Sequence, residues 1–156
     1  MPHYLYQATL AGCQVGFVFK HINTAKYLGE FVHKVDCLPD QANYIEVKDV
    51  DYKDWQSQGN QTINDFAEYS LLPIRTSDLL LSMNRCVFHA VAFKWQERAW
   101  LIAALPGTGK STQYKNLKEL YPNEISIING DKPILEVGDK GIIMVHPSPW
   151  NGKEVS

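Results

Sequence analysis

Two glycines between an apolar strand and a Lys-Ser helix start are the residue types that hold polyphosphate. The chain carries them in Leu101-Ile102-Ala103-Ala104-Leu105-Pro106-Gly107-Thr108-Gly109-Lys110-Ser111-Thr112. Glycines let successive backbone N–H groups turn inward around phosphate oxygens without a Cβ in the way. The helix N-terminus adds partial positive charge, the lysine reaches the β- and γ-phosphates, and the serine hydroxyl can bind Mg²⁺. Pro106, Gly107, Thr108, Gly109, Lys110, Ser111 and Thr112 are therefore candidate nucleotide-binding residues, with ATP or another nucleoside triphosphate and Mg²⁺ as the implied ligands. The full GxxxxGK[ST] pattern wants glycine where this chain has Ala104. A glycine turn with an incidental lysine is the competing account.

Phosphoryl transfer also needs a carboxylate, to hold a metal or to deprotonate an acceptor. Ile125-Ser126-Ile127-Ile128-Asn129-Gly130-Asp131 supplies one, because an apolar strand delivers Asp131 to its C-terminal edge, where ligands sit in open α/β sheets. Asn129-Gly130-Asp131-Lys132-Pro133 reads equally as a plain turn. His89 lies in the apolar run Val87-Phe88-His89-Ala90-Val91 just before the loop-bearing strand, a setting that also suits a core histidine. His3, His21, His33 and His146 have no metal-ligand spacing. In His146-Pro147-Ser148-Pro149-Trp150-Asn151-Gly152-Lys153-Glu154, Trp150 and Lys153 can be read as contacts to a nucleotide or a substrate phosphate, or the segment as a mobile tail.

The elements that must position these groups follow from pattern. Residues 4–10 and 14–20 read as strands joined across Ala11-Gly12-Cys13, and residues 44–50 as a third strand by alternation. Residues 51–64 are polar and read as a loop or helix end. Residues 65–85 have helical spacing, with Pro73 expected to break or kink the helix near Leu72. Further strands are expected at 86–93, 98–105, 125–128, 134–137 and 141–145, with a helix over 110–120 between the second and third of these. The fold class is thus α/β or α+β: a small, mainly β region over 1–85, then a nucleotide-binding region over 86–156.

Composition bounds the rest. The 156 residues are 45% hydrophobic and 21% charged, enough apolar content for a core. A net charge of −2 provides no basic field for nucleic acid or anionic lipid. No apolar run reaches the roughly 18 residues of a membrane span. Met1-Pro2-His3-Tyr4 does not open a signal peptide. Cys13, Cys37 and Cys86 form no CxxC pair and fit reduced thiols, so a cytoplasmic setting is expected.

Taken together, Phe88-His89-Ala90-Val91, the glycine loop, Ile128-Asn129-Gly130-Asp131-Lys132-Pro133 and Pro147-Ser148-Pro149-Trp150-Asn151-Gly152-Lys153-Glu154 resemble a known bacterial series. It is that of the kinase-like proteins related to HPr serine kinase/phosphorylase, in the phosphoenolpyruvate carboxykinase-like P-loop superfamily. The resemblance covers residues 86–156, and its specific part is the spacing from the loop to NGDKP and PWxGKE. It implies that Lys110 and the loop amides hold ATP phosphates, with Ser111 on Mg²⁺. It further implies that Asp131 is a metal ligand or catalytic carboxylate, that His89 lies near the transferred phosphate, and that Lys153 contacts a phosphate or the acceptor. Such kinases usually carry paired aspartates where this chain has Gly130-Asp131.

The expected activity is ATP-dependent transfer of a phosphate to a hydroxyl of a protein, peptide or small molecule. The alternative is a non-catalytic nucleotide-binding or scaffolding module derived from such a kinase. Kinase domains of this kind normally run past PWxGKE, so the expectation is a fragment or a shortened paralogue missing late strands, with homo-oligomerisation as one way to cover an open sheet edge. An adenylate-kinase-type enzyme would want an arginine-rich lid, and no arginine follows Arg98.

Overall fold

The structure is a computed structural model that describes residues 3–38 and 43–152. It is mixed α/β, with three small sheets, and divides into two compact units, Met1–Met83 and Asn84–Ser156. Among the described residues no helix is long and apolar enough to cross a membrane.

The first unit is built on β1 (Tyr4–Leu10) and β2 (Cys13–Phe19), paired antiparallel from Tyr4↔Phe19 to Leu10↔Cys13. The sharp link uses positive φ at Ala11 (48°) and Gly12 (79°), the left-handed geometry of a tight hairpin. Val15, Phe17 and Phe19 are all fully buried, the period-2 face of a strand against a core. A two-residue strand, β3 (His33–Lys34), pairs with β1, and β4 (Asn43–Glu46) runs parallel to β2, giving the order β3-β1-β2-β4. Helices α1 (Thr24–Leu28), α2 (Asp49–Ser57) and α3 (Asp65–Leu81) complete the unit.

Three stretches of this unit depart from the sequence reading for local reasons. The third strand stops at Glu46 rather than Val50, and of the two readings of the polar segment, loop or helix end, the second holds: helix α2 runs to Ser57 with Gln58 as its C-cap. Asp49 and Asp51 fall in the first turn of α2, and the Asp51 carboxylate accepts the Lys48 N–H at 2.7 Å. That is the charge and hydrogen bond a helix N-terminus lacks on its own. Pro73 does not break α3, which is continuous over 17 residues. The lost backbone bond, a matter of about 3 kcal/mol, is outweighed by burial of Ala67, Leu71, Leu72 and Leu80 along one face. Asn64 caps the helix, its Oδ1 accepting from Ala67 N at 2.9 Å.

Arg75 of α3 ties back to α2, donating from Nε to Asp51 Oδ2 at 2.9 Å and from Nη2 to Asp51 Oδ1. Burial raises the Asp51 pKa, but the Arg75 hydrogen bond, the Lys48 amide and the Arg75 charge together hold it below its ordinary 3.8. A carboxyl depressed in the folded state stabilises the fold fully above its unfolded pKa and loses that contribution as pH falls through the folded value. Melting followed by Trp55 fluorescence, on α2, should therefore hold steady above about pH 5 and weaken progressively as the pH falls further. Asp51→Asn should be less stable at neutral pH and flatter across that acid limb; a parallel slope in both proteins would remove Asp51 as the cause.

The second unit holds two three-stranded antiparallel sheets, of order β10-β9-β5 and β7-β6-β8. Their strands are β5 (Arg85–Val87), β6 (Val91–Trp95), β7 (Arg98–Ile102), β8 (Ser126–Asn129), β9 (Ile134–Val137) and β10 (Ile143–His146). Helix α4 (Lys110–Leu120) covers one face of the β6 sheet. Tyr114 and Leu117, three apart on α4, pack with Val91, Phe93, Ile125 and Ile127, as residues on one helical face do.

The expected continuous strand over 86–93 is two strands: Phe88 N and Ala90 N still donate in register to Pro133 O (2.9 Å) and Asp131 O (3.0 Å), but proline has no N–H to return and Asp131 N bonds Asn129 Oδ1 instead. His89 thus sits in a break between strands and is 43% exposed at its side chain, which removes the core reading. The strand expected over 98–105 ends at Ile102, leaving three more residues for the glycine loop.

Candidate active site

Strand direction brings the candidate residues together. Both β7 and β8 run antiparallel to β6, with Val91 opposite Ile102 and Ala92 opposite Asn129. The C-terminal ends of β7 and β8 and the N-terminal end of β6 therefore share one edge of the sheet. The glycine loop leaves that edge after β7, Gly130-Asp131 leaves it after β8, and His89 enters it before β6. A β-bulge between Ala92 and Phe93 places Ile127 opposite Phe93 and leaves Ile128 as the extra residue of β8.

A cavity of ≈ 390 Å³ opens at this edge, lined by His89, Pro106, Gly107, Gly109, Lys110, Ser111, Gly130 and Asp131. Gly107 and Gly109 have φ of 79° and 92°, and an added Cβ at either meets nothing within 4 Å. Backbone conformation rather than space thus calls for glycine at both places. Gly109 is the N-cap of α4, with its carbonyl accepting from Gln113 N at 2.9 Å. Lys110 Nζ donates to the carbonyl oxygens of Ala104 (3.0 Å) and Leu105 (3.5 Å). The ammonium therefore lies back across the loop, a cation held by neutral acceptors that stronger anionic ones can replace.

Asp131 and His89 meet across the cavity, with Oδ1 3.1 Å from His89 Nε2, and Lys132 Nζ bonds Asp131 Oδ2. Ser111 and Asp131 offer hard oxygens to the same space, the donor type that Mg²⁺ takes alongside phosphate oxygens and water. Among the described residues no group of three or more His, Cys, Asp or Glu is arranged to hold a metal. Comparison with known protein families, curated proteins and solved structures finds no match.

Not every candidate reaches the cavity. Thr108 turns its hydroxyl onto its own loop, bonding Leu105 O at 2.6 Å. Thr112 is exposed on α4 and outside the lining. Lys153 lies outside the described residues. Trp150, read from sequence as a nucleotide contact or part of a mobile tail, is neither: it is only 2% exposed, and its carbonyl accepts from Lys132 N at 3.1 Å.

Sequence reasoning missed Gly130 as a lining residue and Lys132 as the second partner of Asp131. It also missed Asn129, fully buried, whose Oδ1 accepts from Asp131 N (3.0 Å) and Lys132 N (2.7 Å). The available signal was Asn-Gly-Asp itself, since asparagine bonds backbone two residues on in an Asx turn.

A larger hollow of ≈ 860 Å³ exists within the first unit, lined by Lys20, His21, Glu46, Asp49, Tyr52 and Lys53 among others. Its two lysines face two carboxylates, and Lys20 is already paired to Asp49 at 2.7 Å. It lacks the glycine cradle and the directed cation of the cavity in the second unit.

Proposed function

We propose that the chain is an ATP-dependent phosphotransferase acting on a hydroxyl. One observation carries the reading: the glycine loop with Lys110, the Asp131 carboxylate and the His89 imidazole share one ≈ 390 Å³ cavity. The resemblance of residues 86–156 to the HPr serine kinase/phosphorylase-related proteins supports the same assignment, including a phosphoenolpyruvate carboxykinase-like P-loop core.

In this reading the loop amides and Lys110 bind the β- and γ-phosphates and stabilise charge that builds during transfer. Asp131, steadied by His89, orients the acceptor hydroxyl and takes its proton. The acceptor oxygen bonds to the γ-phosphorus, the bond to the β–γ bridging oxygen breaks, and ADP leaves with that electron pair. Mg²⁺ brought in with the nucleotide would neutralise phosphate charge, with Ser111 and Asp131 as its protein ligands.

A second reading, nucleotide binding without turnover, is favoured by the engagement of both Asp131 oxygens by His89 and Lys132. Calorimetry with ATP and Mg²⁺ followed by a γ-phosphate release assay separates the two. Binding with release is expected. Binding alone selects the module, and no binding removes both.

A further inference from the structure

The segment Ser148-Pro149-Trp150-Asn151 does not line the cavity, yet it is fastened to the loop that carries the carboxylate. Asn129 and Ser148 are both fully buried. Asn129 Nδ2 donates to Ser148 O and to Ser148 Oγ, each at 3.1 Å. Ser148 Oγ in turn donates to Lys132 O and accepts from Trp150 N at 3.2 Å. Gly130 N donates to Asn151 Oδ1 at 3.1 Å. Asn129 Oδ1 already holds the amides of Asp131 and Lys132, and Ala90 N holds Asp131 O at 3.0 Å.

Both backbone groups of Asp131 are thus committed, one to Asn129 and the other to the residue after His89. A buried amide side chain with both its oxygen and its nitrogen engaged fixes its neighbours, because any displacement strands polar groups away from water. The tail supplies the outer half of that network, from 19 to 21 residues further along the chain.

We infer that Ser148-Pro149-Trp150-Asn151 is a clasp whose function is to place the Asp131 carboxylate, with Asn129 and Asn151 as its positioning residues. This rests on the phosphotransferase reading for its catalytic consequence, and on hydrogen bonding alone for its mechanical part. The segment reaches the carboxylate's loop through hydrogen bonds and lies outside the cavity lining.

Asn151 is the residue to test, because it is half-buried and contributes one acceptor oxygen. Asn151→Leu removes that acceptor, whereas Asn151→Asp keeps it. With a misplaced carboxylate, kcat in Asn151→Leu should fall about 10- to 100-fold, with KM for ATP within about twofold because the glycine loop is untouched. Asn151→Asp should recover most of kcat. Amide hydrogen exchange at Gly130, Asp131 and Lys132 should accelerate in Asn151→Leu and return toward the parent rate in Asn151→Asp.

A folded Asn151→Leu with parental kcat and parental exchange overturns the clasp, as does a fall in kcat matched by an equal rise in KM for ATP. If the parent protein shows no turnover, the phosphotransferase reading fails by itself. Exchange at the three amides then decides the clasp: faster exchange in Asn151→Leu, recovered in Asn151→Asp, upholds it, and unchanged exchange ends it.

Discussion

Lys110→Ala should reduce phosphoryl transfer by about a thousandfold and weaken ATP binding with it. The lysine begins α4 inside the cavity, and its ammonium rests on the carbonyls of Ala104 and Leu105. Those acceptors are neutral and belong to the loop itself, so moving Nζ to a phosphate oxygen exchanges ion–dipole bonds for ion–ion ones. The gain grows as charge accumulates on the γ-phosphate, which is why turnover should suffer more than affinity. Alanine is a good helix former, so the melting temperature should stay near that of the parent. Lys110→Arg tests geometry at constant charge, since a guanidinium cannot replace a compact ammonium donor. Calorimetry and γ-phosphate release on the three proteins decide the matter. Parental turnover in Lys110→Ala would end the phosphate-loop reading.

Asp131→Asn should lower kcat by about 10²- to 10⁴-fold, the usual range for a positioned acid or base, and spare ATP affinity far more. The amide is the same size, and the Asp131 backbone keeps its bonds to Asn129 Oδ1 and Ala90 N. What disappears is the negative charge between His89 Nε2 and Lys132 Nζ. On the proposed reading nothing then accepts the hydroxyl proton, and the imidazole loses the carboxylate beside it. Equal losses in ATP affinity and in turnover would show that Asp131 serves nucleotide binding instead.

The glycine loop and the helix that follows it were the most legible part of the chain because their determinants are local. Two glycines at positive φ and a Lys-Ser helix start within five residues specify them, and α4 spans the expected 110–120. Asp131 at a strand end was legible too, although the rule that suggested it concerns parallel sheets. Here β7 and β8 point the same way because each is antiparallel to β6, a pairing set by contacts distant in sequence. The break at His89 was invisible for the same reason: it follows from Pro133 and Asp131, more than forty residues on, whose backbones return no bond to Phe88 and Ala90. Pro73 misled because a local rule met a buried helix face. Trp150 misled because aromatic character suits a ligand contact and a core equally, and only its burial separates them. Asp49 and Asp51 could have flagged the start of α2, had acidic residues after an alternating run been weighed as a helix N-terminus.

The extra residue at Ile128 gives the two halves of the cavity separate adjustments. The hairpin of β6 and β7 is in regular register from Val91↔Ile102 to Trp95↔Arg98, so the glycine loop is hung at a height the hairpin alone dictates. β8 carries its slack at one point, just upstream of the carboxylate. Gain or loss of a residue there would slide Asp131 by about 3.3 Å, one strand step, while leaving the glycine turn where it is. Editing that single strand would therefore shift the carboxylate relative to the glycine loop while leaving the β6–β7 hairpin as it is.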